Sequence, residues 1–264
     1  MALLLYTSVE SACAQKVRLV MAEKQLSWEE RALNLRRGDQ FDPEYLKLNP
    51  NAVVPTLVHD GLVIRESTII NEYLDEVFPE PPLKPADPGL RSQMRLWAKT
   101  VEEEVHPAIG VLTYAVVLRQ QMNEMKSPQE LERHFQSITD PKRRERQQQT
   151  HQLGLASPAV KGALETLQGI IMQMDSALAR GPWLCGADYS IADAAFAPYM
   201  VRLEALKMDA LWNNAPRFSA WLTSVTTRDN ARSLENTWGS PGFVELVQKY
   251  ATQAAPEIAA LTPA

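Results

Sequence analysis

The chain has 264 residues, 45% of them hydrophobic and 22% charged, with a formal net charge of −5. That length suits two modest domains, and the composition is that of a folded chain rather than a disordered one. The acidic balance disfavours nucleic-acid binding, which draws on clustered positive charge, and no apolar run reaches the ~18 residues of a membrane span. Met1 to Tyr6 is apolar but too short for a signal peptide and lacks a basic start, so a cytoplasmic location is expected. Two distant cysteines, Cys13 and Cys185, cannot build a disulfide framework. The four histidines show no paired metal-ligand spacing, so no metal is expected.

In chain order, Leu3 to Tyr6 suits a buried strand. Ala12 to Gln25 carries a helical pattern, with Val17, Leu19, Val20 and Met21 on the dry side. Trp28 to Leu35 alternates as a second strand. Asp42-Pro43 reads as a helix start, with Asp42 as cap and proline in the first helical position. Val53 to Val58 and Leu62 to Arg65 flank Asp60-Gly61, a hairpin signal. Glu66-Ser67 then opens a helix through Val77. The order βαβ, helix, ββα stops at a proline-rich connector, Phe78 to Pro88. Beyond it the signals are helical. Leu90 to Gln121 reads as one long helix that Pro107 should kink. Lys126 to Pro158 reads as an exposed, partly helical insertion. Val160 to Arg180, Ile191 to Leu206, Arg217 to Arg228 and Gly242 to Tyr250 are further helices, and Ala254 to Ala264 reads as a loose tail. The expected domains are residues 1–80 (α/β) and 89–253 (all-α).

Three segments of the first domain bear chemistry. In Leu5 to Arg18 a strand enters a polar loop, and Ser11 falls at the start of a helix. A hydroxyl there either caps the helix or donates to an anion at its positive end. Such a position also favours a thiolate, because helix N-termini lower thiol pKa values. Cys13, in the first turn, is either a small packed residue or a thiol able to form a mixed disulfide. In Leu48 to Leu57, a cis Val54–Pro55 bond would leave the Val54 backbone groups open to an extended peptide. A trans proline at the strand start is the commoner alternative. Glu66-Ser67, following the hairpin, can receive a ligand carboxylate through the serine hydroxyl and the helix N–H groups, or simply cap the helix.

Taken together and in this order, the three segments resemble the glutathione transferase superfamily. Tyr189-Ser190-Ile191-Ala192-Asp193 resembles that family's buried capping box in its helical domain. The resemblance implies a thioredoxin-like N-terminal domain, an all-helical C-terminal domain, glutathione as co-substrate and a homodimer. Serine at position 11 is similar to the zeta-like, serine-type enzymes, with Tyr6 on the strand as a rival donor. By that likeness Gln40, Val54, Pro55, Glu66 and Ser67 hold the tripeptide. His106 stands where zeta-like relatives carry a glutamine that reaches the site.

The Ser11-x-Cys13 pair resembles bacterial tetrachlorohydroquinone reductive dehalogenase. Glu66 to Ile70 and Pro85 to Pro88 resemble the β-aryl ether cleaving enzymes. Both act on aromatic compounds, so a hydrophobic, aromatic electrophile is the expected partner. Val9, Ile109, Thr113, Tyr114, Tyr199 and Arg202 are candidates for its pocket, which the resemblance places between the domains. The expected function is attack by a Ser11-stabilised glutathione thiolate on such a compound. One alternative is a reductive dehalogenase or thiol-disulfide enzyme acting through Cys13. The other is a non-catalytic ligand-binding protein.

Overall fold

A computed structural model describes residues 2–261 other than Arg36, Thr139, Ser233, Glu235 and Asn236. Its first elements are β1 (Leu3–Thr7), α1 (Ala12–Glu23), β2 (Glu29–Ala32), α2 (Pro43–Leu48), β3 (Thr56–His59), β4 (Leu62–Arg65) and α3 (Ser67–Val77). The strands form one sheet in the order β2-β1-β3-β4, with β1 and β2 parallel and the other pairs antiparallel. Parallel strands cannot be joined by a tight turn, so α1 makes the crossover between β1 and β2. The β3–β4 hairpin turns on Asp60 and Gly61, both at positive φ (47° and 88°). A two-residue turn of that kind matches strand twist, and glycine takes its φ without a Cβ penalty.

Period-two alternation sorts β1 between two faces. Leu3, Leu5 and Thr7 are buried on one face. Leu4 and Tyr6 turn to the other, where Tyr6 joins Tyr45 of α2 and Val54 in an apolar cluster. β2 is an edge strand whose four residues are all exposed. The end of α1 is tied to α3 by a buried ion pair, Lys24 Nζ to Asp75 at 2.6 Å. The same ammonium donates to the Phe78 and Pro81 carbonyls, and Asp75 accepts from the Leu83 N–H. Both charges thus keep hydrogen-bond partners out of water, which such a pair requires.

The chain divides into two compact units that do not follow chain order. The first comprises Met1–Lys99, Ala177–Val201 and Ala220–Pro241; the second comprises Thr100–Ser176, Arg202–Ser219 and Gly242–Ala264. The remaining helices are α4 (Pro88–Thr100), α5 (His106–Thr113), α6 (Arg119–Met125), α7 (Pro128–Gln136), α8 (Pro141–Leu153), α9 (Pro158–Ala177), α10 (Ile191–Ala205), α11 (Pro216–Thr227), α12 (Asp229–Arg232) and α13 (Pro241–Leu261).

Helix α4 runs without interruption through α5 into α6, by way of π-helical turns at Val101–Val105 and Tyr114–Leu118. Pro107 lacks an N–H for the helical ladder, and the wider turn just before it lets the helix continue past the missing bond.

Two expectations from the sequence need correction. Residues 126–158 are not simply an exposed insertion. Ser127 and Glu130 form a reciprocal capping box on α7, and Phe135, Thr150, Leu155 and Ser157 are buried. The predicted loose tail is also helix: α13 continues through Pro256 to Leu261, and Ile258 is buried. Burial of that face outweighs the one hydrogen bond that Pro256 removes. Residues 262–264 lie outside the described residues.

In the first unit, Asp193 at the start of α10 is fully buried and accepts four hydrogen bonds. They come from the Ser190 N–H and hydroxyl, the Leu184 N–H and Trp221 Nε1, at 2.8–3.0 Å. Burial raises its pKa while these donors oppose the rise. Asp193 therefore reaches back to Ser190 as the capping-box reading expects, though the Ser190 hydroxyl donates to that carboxylate, and the same carboxylate fastens a turn and a helix more distant in sequence. Asp193→Ala would strand four donors in the interior, and the expected loss is about 3–5 kcal/mol in urea unfolding.

Candidate functional site

Strand register decides which loops meet. Thr7 at the end of β1 pairs with Ala32 at the end of β2, Tyr6 pairs with Thr56 at the start of β3, and Thr56 pairs with Arg65 at the end of β4. The β1–α1 loop, the segment after β2, the Val54-Pro55 segment and the β4–α3 junction therefore all leave the sheet at one end. Ser11, Gln40, Val54, Pro55, Glu66 and Ser67, dispersed over 57 positions, belong to those four segments.

Helices α1 and α3 both begin at this end and pack against each other. Neither has an acidic residue in its first turn. Their free N–H groups and aligned dipoles make the end of the sheet electropositive and suited to anions.

Ser11 is the N-cap of α1, and its Oγ accepts from the Ala14 N–H at 3.3 Å. The capping role proposed from sequence is thus realised. It does not use up the side chain, because a hydroxyl keeps its own proton to donate. The loop is set by a Ser11 N–H to Ser8 carbonyl bond and by Gln15, whose Nε2 donates to the Val9 carbonyl at 2.7 Å. Gln15 is buried and was not legible as a loop-holding residue, since its helical position alone gives no hint of that carbonyl.

Cys13 is half-buried, and its Sγ lies 3.2 Å from the Tyr199 hydroxyl of α10. Tyr199 is itself buried. The rival donor Tyr6 packs in the cluster with Tyr45 and Val54. Its hydroxyl accepts from Arg31 at 3.0 Å, and its ring packs on Tyr45 in the α2-side cluster.

The Val54–Pro55 bond is cis. Val54 precedes the ladder, whose first registered pair on β3 is Tyr6–Thr56. The approach to it is held by Asn49 Nδ2, which donates to the Val53 carbonyl at 2.9 Å, and by the Tyr45 hydroxyl, which donates to the same carbonyl. Gln40 donates from Nε2 to the Leu35 carbonyl at 3.2 Å. Its Oε1 is buried and has no hydrogen-bond partner among the described residues.

Glu66 occupies the N-cap of α3 with φ 67° and ψ 115°, and its side chain makes no cap bond. A non-glycine residue at such a φ costs about 1–3 kcal/mol and persists where surrounding structure enforces it. The exposed Glu66 carboxylate is left beside Ser67, which is buried in the first turn. An extended peptide with both an ammonium and carboxylates fits this end of the sheet. Two helices whose first turns carry no acidic residue, a backbone segment ahead of its ladder and an orphaned amide oxygen are the features that match it.

The other candidates fall in both units. In the second unit, Ile109 and Thr113 are buried, and Arg202 lies over the Phe243 ring at 4.5 Å. His106 is exposed and, with Tyr114, lines a cavity of about 460 Å³ against α8. The Tyr114 hydroxyl is 3.0 Å from His151 Nδ1, and burial pushes its phenol up to about 12. Arg119 donates to the His151 carbonyl at 2.6 Å. Val9, in the first unit, offers its carbonyl to Gln15.

The fold is that of a thioredoxin-like domain joined to a helical domain. The family model for the glutathione S-transferase N-terminal domain matches residues 10–77, and that for its C-terminal domain matches residues 143–224, together more than half of the chain. Protein LigF of Sphingobium sp. (strain NBRC 103272 / SYK-6) is 28% identical over 234 residues, covering 86% of this chain and 91% of that protein. Glutathione S-transferase Z1 of Arabidopsis thaliana is 48% identical over 83 residues, 31% of this chain and 38% of the relative. The crystal structure of beta-etherase LigF from Sphingobium sp. strain SYK-6 is similar with a TM-score of 0.74 at 26% identity, covering 88% of this chain and 98% of that one. The chain belongs to the glutathione S-transferase superfamily, and glutathione is its co-substrate. No helix among the described residues is long and apolar enough to cross a membrane.

Burial holds the His151 and His134 imidazoles below their ordinary range, with nearby positive charge adding to the effect. Unfolding frees both to take up protons at their ordinary value of about 6.5. Their stabilising contribution is therefore present above that value and is lost as pH falls through the folded ones. The thermal midpoint is expected to fall between about pH 7.5 and about pH 5.5, and His151→Gln should flatten that slope. The check is a melting series across the interval by circular dichroism.

Proposed function

We propose that this chain transfers glutathione to an electrophilic aromatic compound, with the Ser11 hydroxyl donating to the glutathione sulfur. The observation that carries this reading is the position of Ser11. It caps α1 at the sheet end where Val54 and Ser67 also lie, and its proton is still available. A hydroxyl donor and a helix N-terminus both favour the thiolate over the thiol, which enlarges the nucleophilic fraction at neutral pH.

In the reaction the thiolate forms a carbon–sulfur bond, and the leaving group departs with the electron pair of the broken bond. Ser11 stays non-covalent throughout. Gln40, Val54, Pro55, Glu66 and Ser67 are assigned to the tripeptide: the Val54 backbone to its central amide, Ser67 and the α3 start to a carboxylate, and Glu66 to the ammonium. A beta-etherase among the similar proteins favours a phenolate as the leaving group, and so β-aryl ether cleavage as the reaction. A homodimer in the cytoplasm is the working form expected of this family.

A second reading gives Cys13 a covalent role, as in reductive dehalogenation or thiol-disulfide exchange. It is favoured by the Tyr199 hydroxyl at 3.2 Å from the sulfur, a donor able to stabilise a Cys13 thiolate. That thiolate would attack the sulfur of a glutathionyl aromatic. The aromatic carbon leaves with the bonding pair and is protonated, and a Cys13–glutathione disulfide remains. A second glutathione then reduces this disulfide, releasing oxidised glutathione.

One experiment separates the readings. Hydrogen bonds to a charged group are worth about 1.5–3 kcal/mol, so Ser11→Ala should lower turnover roughly ten- to a hundredfold while calorimetry still detects glutathione binding. An unchanged rate would remove Ser11 from the mechanism. Cys13→Ala should leave simple transfer within about twofold, in the range of a neutral surface change. Accumulation of a glutathionyl conjugate in that variant, seen by mass spectrometry, would establish the second reading instead.

A further inference from the structure

The far end of the sheet, away from Ser11, Val54 and Ser67, gathers segments of its own. Leu3 at the start of β1 pairs with His59 at the end of β3, His59 pairs with Leu62 at the start of β4, and Leu4 pairs with Glu29 at the start of β2. The residue before β1, the approach to β2 and the β3–β4 turn therefore meet there. They surround an open cavity of about 500 Å³, whose lining lies wholly within the first unit. That volume is in the range of small-molecule sites.

Glu29, Leu4 and Val58 stand in one row across β2, β1 and β3. Side chains directly opposite one another in a sheet share a face, so the row sets an apolar strip beside a carboxylate. Leu4 and Val58 are only partly buried. They pack on the cluster of Tyr6, Tyr45 and Val54 and still line the cavity. Glu29 is exposed.

Trp28 adds an indole to the lining, fixed by its Nε1, which donates to Glu30 Oε1 at 2.9 Å. The same oxygen accepts from the buried Arg18 at 2.8 Å. Asp60, in the turn, is already engaged. It accepts from the Ala2 N–H at 2.8 Å and lies 3.7 Å from His59 Nε2. Among the described residues the lining holds two carboxylates, Glu29 and Asp60, and no lysine or arginine. An apolar strip with carboxylates at its edge and no built-in cation selects an apolar body carrying one positive group.

We infer that this cavity is a binding site for a small aliphatic ammonium, with its hydrocarbon part on Leu4 and Val58 and its charge paired with Glu29. No residue assigned to glutathione or to the electrophile takes part, so the site stands or falls apart from the transferase reading.

The test is isothermal titration calorimetry of the full chain, with and without saturating glutathione. Its probes are cyclohexylmethylammonium and cyclohexylmethanol, nearly the same in shape and different in charge. Saturable binding of the ammonium is expected at one site per chain, unchanged by glutathione. Glu29 is exposed, so Glu29→Gln removes the charge without disturbing packing. It should weaken the ammonium about fivefold, the upper range for an exposed pair, and leave the alcohol within about twofold.

Val58→Lys supplies the cation from within. Its stem can lie along Leu4 while its ammonium reaches toward Glu29, and the free ammonium should no longer bind. A thermal melt shows whether that variant is folded. The inference is overturned if the ammonium does not bind saturably, or if Glu29→Gln leaves its affinity unchanged or weakens both probes alike. Undiminished binding by a folded Val58→Lys also overturns it. So does displacement by glutathione, which would put the cation beside Glu66 at the other end of the sheet.

Discussion

The hydrogen-bond register of a four-stranded sheet is the constraint on which the rest of this protein depends. Tyr6 opposite Thr56, Thr56 opposite Arg65 and Thr7 opposite Ala32 bring four chain segments to one end. A slip of one residue would turn Leu5 and Leu57, both fully buried, toward the wrong face. The core therefore holds the register, and the register holds the site. The same pairing sets the starts of α1 and α3 at that end, so electrostatic preference for an anion follows from backbone topology before any side chain is considered.

Side chains then refine what the backbone supplies. Ser11 spends its acceptor on the helix start and keeps its donor. Gln15 fixes the loop through the Val9 carbonyl, and Asn49 with Tyr45 fixes the approach to Val54. Each of these residues does local structural work, which is also what orients the groups offered to a ligand. Capping and donation at Ser11 were alternatives when only the sequence was in view, and the geometry makes them compatible.

Buried polar hubs keep the first unit in one arrangement. Asp193 collects four donors, Asp75 pairs with Lys24 and accepts from Leu83, and the buried Glu23 takes both nitrogens of an Arg228 fork at 2.6 and 2.7 Å. Arg228 also lies over the Tyr189 ring at 4.1 Å. Buried charge is tolerable only when its hydrogen bonds are complete, and these hubs meet that condition with partners up to 207 residues apart. In the second unit the corresponding devices are milder. Tyr114 meets His151, and Asp175 caps α11 through the Arg217 and Phe218 N–H groups.

Local patterns were enough to fix much of the fold. Apolar alternation marked β1, Asp60-Gly61 marked the hairpin, Asp42-Pro43 started α2, and Ser190 with Asp193 marked the capping box, because each depends on neighbours within a few residues. The family resemblance rested on such local signals and therefore survived. What failed or stayed open depended on contacts across the chain. Burial of Ile258 extends α13 beyond Pro256, packing of Phe135 and Thr150 draws residues 126–158 onto the helical unit, and a π-turn carries the long helix past Pro107. Only the tertiary structure decided that Tyr6 turns to Arg31, that the Cys13 sulfur meets Tyr199, and that Glu29 and Asp60 share a cavity. Those are meetings of side chains from separate elements, set by packing that no single stretch of sequence encodes.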